Sequence, residues 1–385
     1  MESSELLEII SRGEDGKHQF KATITNGNAL ASEITAFSNS GGGQIFIGVN
    51  DDGSLSGLGL EQLSGEHGLN QLIPNVATNQ VKPAVNVETE NVKSPKGLVI
   101  VVTVQDGISK PYFDNSGIIW VKSGSDKRKV TSREEIQRLF QKSGLIYSDE
   151  IPVNNMPVSE VDLSYFREFY EEEYNENLDE KEPQLSRVLE NMNLAKGGML
   201  NVAGALLFGK SPSRRLPTFI VKAVASPSYE ITESEYTDSR DIEGNLFTVF
   251  QNTMSFLLAN LRAVQGDQGF NSLGQPEIPK TTLEELVVNA LIHRDYLIPA
   301  PIRVFIFQDR VEIISPGHLP NNLTIENIIS GNSNVRNPVL VSFATRILPY
   351  RGKGSGIRRA LKHYPDINFT DDRDGNLFIV TLKRI

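Results

Sequence analysis

The spacing of hydrophobic and polar residues changes several times along the chain and divides it into segments with helical and strand patterns. Apolar residues repeated every three or four positions predict helices, and short apolar runs that end in turn residues predict strands. In the first part of the chain the expected elements are helices from Ser4, at 29–38 and at 133–142, and strands at 44–49, 54–57, 98–104 and 117–121. This order predicts an α+β domain over residues 1–145.

The pattern after residue 145 predicts a connector, a middle region and a further α/β domain. Pro152 and Pro157, followed by a run of carboxylates, mark residues 146–185 as an acidic connector with a solvated helix face. Residues 186–275 are predicted to form a middle α/β region that packs with the C-terminal part, and residues 276–385 the last domain. The middle elements are a helix from Gln184, a strand at 218–225, a helix at 246–263 and a Gly-rich loop at 266–274.

Composition narrows the classes of function. The 385 residues favour two or three domains, at about 150 residues each. The absence of cysteine excludes disulfides, thiolate zinc sites and cysteine nucleophiles. The net charge of −10 argues against a protein coated in nucleic acid but allows a local basic site. The N-terminus is acidic, and no apolar run approaches the about 20 residues that span a bilayer, so we expect a soluble, cytoplasmic chain without membrane contact.

A helix predicted over 281–293 carries both a core stripe and a line of polar residues. Glu285, Asn289 and His293 are spaced by four and therefore lie along one side of it. A carboxylate and a carboxamide one turn apart can hold a hydrated Mg²⁺ and an attacking water. The alternative is an ordinary solvated face.

A glycine-rich segment near the C-terminus favours an anion. Gly352, Gly354 and Gly356 precede a predicted helix, where backbone N–H groups can face a phosphate. The surrounding residues 343–363 hold six lysines and arginines and no acid.

These segments resemble the GHKL (Bergerat) ATPase superfamily, and more closely the ATP-binding proteins with a RecG-helicase-like C-terminal domain. The shared residues are Glu285-x-x-x-Asn289-Ala290, His293-Arg294-Asp295-Tyr296, Ser315-Pro316-Gly317, Arg336-Asn337-Pro338 and Gly352-x-Gly354-x-Gly356. The resemblance implies a Bergerat-like α/β sandwich that binds ATP and Mg²⁺, with Asn289 on the metal and Glu285 as the catalytic, water-activating base. It implies nucleotide contacts for Asn289, His293, Gly317, Gly352, Lys353, Gly354, Ser355 and Gly356. One position departs, because Ser315 stands where the superfamily has an adenine-reading aspartate.

The N-terminal domain resembles the Schlafen AlbA-type nucleic-acid-binding domain. The resemblance lies in Ala36-Phe37-Ser38-Asn39-Ser40-Gly41-Gly42-Gly43, in Ile45-Phe46-Ile47-Gly48-Val49 and in Val121-Lys122-Ser123-Gly124-Ser125. Some members cleave RNA with three carboxylates. The matching positions here are Glu14, Gln19 next to Lys21, and the turn with Asp51 and Asp52. Because Gln19 replaces a glutamate that would bind a cation, we expect nucleic-acid binding without cleavage.

Four basic residues mark the expected nucleic-acid surface. Lys122, Lys127, Arg128 and Lys129 share a short Gly/Ser-containing loop with only Asp126 opposing them. Such loops suit phosphate contacts, which carry no sequence preference. A plain solvated loop is the alternative.

One motif is a decoy. Residues 204–211 satisfy the phosphate-loop expression G-x-x-x-x-G-K-S. Its interior, Ala-Leu-Leu-Phe, is apolar and predicts a buried helix end or strand, since a phosphate loop must remain polar and open.

Three hypotheses follow. The first is a cytoplasmic regulator, in transcription or in defence against mobile elements, that binds DNA or RNA and is switched by ATP. The second is an enzyme, either an ATPase that uses Glu285 or a metal-dependent nuclease that uses Glu14 with Asp51 or Asp52. The third is a non-catalytic assembly protein with degenerate sites. In each case a homo-oligomer of unknown order is expected.

Overall fold

The computed structural model describes residues 1–65, 68–181, 183–230, 236–264, 274–320, 323–352 and 354–384. The chain divides into two units, Met1–Ile146 and Tyr147–Ile385. The expected connector (146–185) and middle region (186–275) lie almost entirely within the second unit. Both units mix helices with sheets, and the predicted multidomain α+β class is confirmed. Most of the predicted loop at 266–274 lies outside the described residues.

The first unit is built on a central sheet with strand order β1-β2-β5-β4. Its helices are α1 (Ser3–Arg12), α2 (Gly27–Asn39), α3 (Leu60–Leu63), α4 (Leu69–Asn79) and α5 (Arg133–Lys142). Its strands are β1 (His18–Lys21), β2 (Gly43–Ile47), β3 (Val81–Lys82), β4 (Val87–Ser94), β5 (Gly97–Val104), β6 (Phe113–Asp114), β7 (Trp120–Ser123) and β8 (Asp126–Lys129). Strands β3 and β6 pair with each other, and β7 and β8 form a hairpin.

Both faces of this sheet are covered. Successive side chains of a strand point to opposite faces. Accordingly Ile45 and Ile47 pack with residues of α2 and α4, whereas Phe46 packs with Leu6 and Ile10 of α1. Burial on both faces explains why β2 and β5 are nearly continuous apolar runs in the sequence.

The second unit contains a larger mixed sheet with strand order β13-β12-β16-β17-β19-β18. Its helices are α6 (Leu163–Tyr174), α7 (Gln184–Asn191), α8 (Val202–Phe208), α9 (Leu246–Asn260), α10 (Lys280–His293), α11 (Ile325–Ile329), α12 (Pro338–Ile347) and α13 (Gly356–His363). Its strands are β9 (Pro152–Pro157), β10 (Ala195–Lys196), β11 (Met199–Asn201), β12 (Val221–Ala225), β13 (Asp238–Ile242), β14 (Ala263–Val264), β15 (Gln275–Pro276), β16 (Ile302–Ile306), β17 (Arg310–Pro316), β18 (Ile367–Asp372) and β19 (Leu377–Lys383). Short 3₁₀ turns occupy Ser148–Glu150, Val158–Glu160 and Pro212–Arg214.

One core runs through the second unit. Buried side chains from α6 and α8 join those of α9, α10 and the large sheet in a single cluster. The acidic segment therefore contributes to this core through Phe166 and Phe169 of α6, while Glu171, Glu172 and Glu173 remain exposed. Helix α10 packs against α9, α13 and β17, which places its polar side near the start of α13.

Two sequence expectations need correction, and the decoy is resolved. Residues 54–57 do not form a strand, because only an isolated bridge joins Val49 and Leu55. The strand expected at 117–121 is displaced to β7. Residues 204–208 of the phosphate-loop-like segment belong to the buried helix α8, where a Cβ on Gly204 would lie 2.0 Å from the Leu194 carbonyl oxygen. Within the described ranges, no helix has the length and apolarity needed to cross a bilayer.

Candidate functional sites

A cavity of the second unit brings together the residues expected to bind nucleotide. It lies between α10, the ends of β17, β18 and β19, and the glycine segment before α13, and holds about 1080 Å³ of empty space including its open mouth. Its walls include the predicted residues Glu285, Asn289, His293, Ser315, Gly317, Gly352, Gly354, Ser355 and Gly356. Lys353 lies outside the described residues.

Helix α10 places Glu285 at the cavity, where each of its carboxylate oxygens accepts a hydrogen bond. Leu283, Leu286 and Val287 are buried in the core, which fixes the rotation of the helix. Asn289 Nδ2 donates to Glu285 Oε1 at 3.1 Å, and Arg359 Nη2 donates to Glu285 Oε2 at 2.8 Å. Glu285 is only 6% exposed. Its two oxygens are bonded to donors from two helices, α10 and α13.

The glycine segment makes close approaches that only glycine allows. Gly352 and Gly354 have φ values of 63° and 64°, a left-handed conformation that side chains disfavour. A Cβ on Gly354 would lie 2.5 Å from the Gly331 carbonyl oxygen, and one on Gly356 would lie 1.6 Å from Glu285 Oε1. The Glu285 carboxylate therefore packs directly against the first residue of α13. The side chain of its N-cap residue, Ser355, makes no capping bond.

The remaining polar groups favour an anionic ligand. Three arginines, Arg336, Arg351 and Arg359, line the cavity. Among its described lining residues, Glu285 is the only acidic one. Burial, reinforced by the positive charge of Arg336, lowers the pKa of His293 to about 4. His293 is therefore neutral at physiological pH and adds no positive charge to the cavity.

The opposite wall is apolar. Ile313, Phe369, Phe378 and Val380 line it, with the two phenylalanine rings stacked at a centroid distance of 6.1 Å. Ser315 Oγ donates to the Ala290 carbonyl oxygen at 3.3 Å. This wall thus offers a hydroxyl where the resemblance would place a carboxylate.

Some motif residues hold the fold rather than face the cavity. Asn337 is fully buried, and its Nδ2 donates to the carbonyl oxygens of Ile292 and Arg294, both at 2.9 Å. Its Oδ1 accepts from Ser148 Oγ at 2.7 Å. Asn337 therefore fixes the start of α12 to the end of α10. The motif Arg336-Asn337-Pro338 does not by itself indicate this structural role; the signal in the sequence is a polar residue before Pro338 at a helix start.

In the first unit, Gln19 lies between a carboxylate and an amine. Its Nε2 donates to Glu14 Oε1 at 2.5 Å, and its Oε1 accepts from Lys122 Nζ at 2.7 Å. Burial lowers the pKa of Lys122, with further lowering from the charges of Lys127 and Lys21. A carboxylate at position 19 could not donate to Glu14, so the observed contacts are specific to the amide.

The predicted basic surface is largely paired within the unit itself. Lys127 Nζ lies 2.7 Å from Glu33 Oε1, and Arg128 binds both oxygens of Glu135 at 2.9 and 2.5 Å. Lys129 Nζ lies over the Trp120 ring, 5.4 Å from its centroid. The hairpin β7–β8 therefore carries less free positive charge than its sequence indicates.

Two of the possible nuclease residues, Glu14 and Asp52, accept hydrogen bonds from neighbouring backbone amides of the first unit. Asp51 and Asp52 are exposed on the turn after β2, and hydrogen bonds from Ser54 lower the pKa of Asp52. Over the part of the chain that the structure describes, no three His, Cys, Asp or Glu side chains are placed to hold a metal ion. Glu14 instead accepts from Gln19 and from the Phe20 amide.

Comparison with known families confirms both resemblances. Residues 14–131 match the family model described as "Schlafen, AlbA_2", and residues 300–380 match "Putative ATP-dependent DNA helicase recG C-terminal". The second match includes Gly317 and the glycine segment but begins after Glu285, Asn289 and His293. The two matches indicate an ATP-dependent, nucleic-acid-related function and no finer one.

Similarity to individual proteins is weak. A crystal structure of the DIP2311 protein from Corynebacterium diphtheriae is 18% identical, with a TM-score of 0.46 over 99% of this chain and 69% of that one. The N-terminal domain of a "Putative ATP-dependent DNA Helicase RecG-related Protein" from Nitrosomonas europaea is 19% identical, with a TM-score of 0.25 over 34% of this chain and 96% of that one. With TM-scores below 0.5, neither likeness supports a conclusion about this chain. No curated protein matches it significantly.

Proposed function

We propose that this protein is a cytoplasmic regulator that binds ATP with Mg²⁺ through its second unit and DNA or RNA through its first. One observation carries the nucleotide part of the proposal. Glu285 and Asn289 of α10 meet the glycine segment that starts α13 around one cavity, although about 70 residues separate them in sequence. In this proposal the nucleotide state switches nucleic-acid binding or assembly. The roles that such a switch would serve are transcriptional control and defence against mobile elements.

The cavity suits the parts of a nucleotide. The apolar wall with Phe369 and Phe378 offers a surface for a base, and the arginines with the start of α13 offer donors for phosphates. The Asn289 amide donates through Nδ2, so its Oδ1 remains an acceptor of the kind Mg²⁺ prefers. When bound, the metal would neutralise phosphate charge and help to orient the phosphates.

We propose binding, and not turnover, for the arrangement without ligand. A general base needs a free oxygen within reach of a water, and in this arrangement both oxygens of Glu285 are engaged by Asn289 and Arg359. Nuclease activity is not part of the proposal, since Gln19 is bound between Glu14 and Lys122.

A thermal-shift titration with ATP, ADP and a non-hydrolysable analogue, each with and without Mg²⁺, tests the nucleotide part. A ligand at 100 times its Kd adds about 2.7 kcal/mol to the stability of the folded state. We expect a Mg²⁺-dependent rise in Tm that Asn289→Ala abolishes. Asn252→Ala, an exposed position on α9, is the matched control and should keep the rise. No rise at millimolar nucleotide would contradict the proposal and favour an assembly protein with degenerate sites.

Nucleic-acid binding is proposed for the hairpin β7–β8. It carries Lys122, Lys127, Arg128 and Lys129, and the Schlafen AlbA_2 match extends over it. Because the first three are internally bonded, we expect Lys129→Ala to weaken binding of labelled single- and double-stranded DNA and RNA similarly for all sequences. It should also reduce the slope of log K against log salt by about one. Lys196→Ala, an exposed lysine of the second unit, is the control. Unchanged anisotropy curves for Lys129→Ala would reject this surface.

We also propose that the protein assembles into a homo-oligomer. Sedimentation velocity with and without ATP–Mg²⁺ gives the order of assembly, and a monomer under both conditions would contradict it.

A further inference from the structure

The Glu285 carboxylate occupies the place in the cavity where an anionic ligand group would be expected. It packs against Gly356, so closely that a Cβ there would lie 1.6 Å from Oε1. It also accepts from Arg359 Nη2 at 2.8 Å. Glu285 is thus an internal anion that lies against the glycine segment and accepts a hydrogen bond from Arg359 of α13.

Arg359 is well placed to change partners. Its side chain is 35% exposed, in contrast to the 7% of Glu285, and it lines the cavity one turn after Gly356. A guanidinium binds carboxylate and phosphate with the same planar set of donors. A phosphate at this point would bring two anions to one arginine, and the repulsion between them would favour displacement of the carboxylate.

We propose that Glu285 and Arg359 form a lock that a ligand phosphate opens. In the closed state Arg359 holds Glu285 against Gly356. In the open state Arg359 binds the terminal phosphate of the ligand and the Glu285 carboxylate turns away, which frees it to contact water. The ligand class is a polyphosphate, such as a nucleoside triphosphate. This inference rests on the proposed nucleotide site and adds to it a binding role for Arg359 and a competing role for Glu285.

The lock and a simple general base predict different effects of Glu285→Gln on the affinity for the ligand. If Glu285 only activates water, Glu285→Gln removes turnover and leaves binding unchanged. If Glu285 competes with phosphate, the same substitution removes the competing charge and tightens binding. Arg359→Ala should weaken binding, and Arg359→Lys should restore part of it, because an ammonium keeps the charge without the planar donor pair.

Isothermal titration calorimetry with ATP–Mg²⁺ and with inorganic tripolyphosphate tests the lock. Tripolyphosphate isolates the phosphate contacts from those of a base. We expect Glu285→Gln to lower Kd about fivefold or more for both ligands, and Arg359→Ala to raise it about tenfold. The controls are Glu284→Gln, which removes the neighbouring carboxylate that pairs with Lys280 outside the cavity, and Lys362→Ala, an exposed cation on α13. Both controls should leave Kd within about twofold of the original chain.

The outcomes separate the lock from the site itself. Binding by the original chain with an unchanged or weaker affinity in Glu285→Gln overturns the lock and leaves the nucleotide site intact. Equal tightening by Glu284→Gln would also overturn it, since the effect would then be one of net charge. If neither the original chain nor Glu285→Gln binds ATP or tripolyphosphate, the proposed function fails together with the lock. A melting curve for each variant confirms that it is folded.

Discussion

A buried ion pair near the C-terminus gives a prediction about the stability of the second unit. Arg384 Nη2 lies 2.7 Å from Glu277 Oε1, and the two side chains are only 8% and 1% exposed. The same oxygen accepts from Arg384 Nε at 3.0 Å and from the Arg262 amide at 2.9 Å. Arg384 also donates to the Phe307 carbonyl oxygen. The pair therefore connects the last strand to the segments before α10 and after β16.

Replacing Arg384 by methionine should cost about 3 to 5 kcal/mol, because it leaves the Glu277 carboxylate buried without its counter-charge. For a unit of this size the loss corresponds to a fall in Tm of roughly 10 °C. In the double variant Arg384→Met/Glu277→Gln the buried group is neutral, and its Oε1 can still accept from the Arg262 amide. We therefore expect the double variant to be more stable than Arg384→Met alone.

Urea denaturation followed by circular dichroism measures these differences. Lys222→Met is the control, because its pair with Asp241 is about half exposed and should contribute less than about 1 kcal/mol. A cost below about 1 kcal/mol for Arg384→Met would refute the reasoning. So would a double variant whose loss equals the sum of the two single losses, since the residues would then act independently.

Two further predictions concern His293 and the decoy motif. The pKa of His293 is about 4 in the folded state, below the value of about 6.5 in the unfolded chain. Protonation therefore favours the unfolded chain, and the stability of the protein falls as the pH drops from about 6.5 to 4. Comparing the original chain with His293→Gln over this range should isolate a loss of roughly 3 kcal/mol; parallel pH profiles would contradict the assignment. Lys210 follows buried helix α8, and its Nζ donates to the Ser159 carbonyl oxygen at 3.0 Å, so Lys210→Ala should leave the Kd for ATP–Mg²⁺ unchanged. A loss of binding in this variant would restore the phosphate-loop reading of residues 204–211.

Local patterns predicted the elements that form the cavity better than the contacts inside it. The spacing of Glu285, Asn289 and His293 by four residues is enough to place them on one side of a helix. A glycine triplet before a helix likewise indicates close backbone approach, as Gly354 and Gly356 show. Both signals lie within a few residues of sequence.

The partners of these residues could not be predicted in the same way. Arg359 lies 74 positions from Glu285, and Lys127 lies 94 positions from Glu33. Such pairs depend on how helices and strands pack, which periodicity within one segment does not describe. For this reason the sequence indicated a free base at Glu285 and free cations on the hairpin, where the structure shows ion pairs.

Hydrogen–deuterium exchange with and without ATP–Mg²⁺ tests the central claim most directly, because it locates the ligand on the chain. We predict slower exchange in peptides from α10, from the end of β17 and from the glycine segment through the start of α13. Peptides covering α8 and Lys210 should not change. Protection confined to α8, or binding with no protection around Asn289 and Gly356, would contradict the placement of the nucleotide in this cavity.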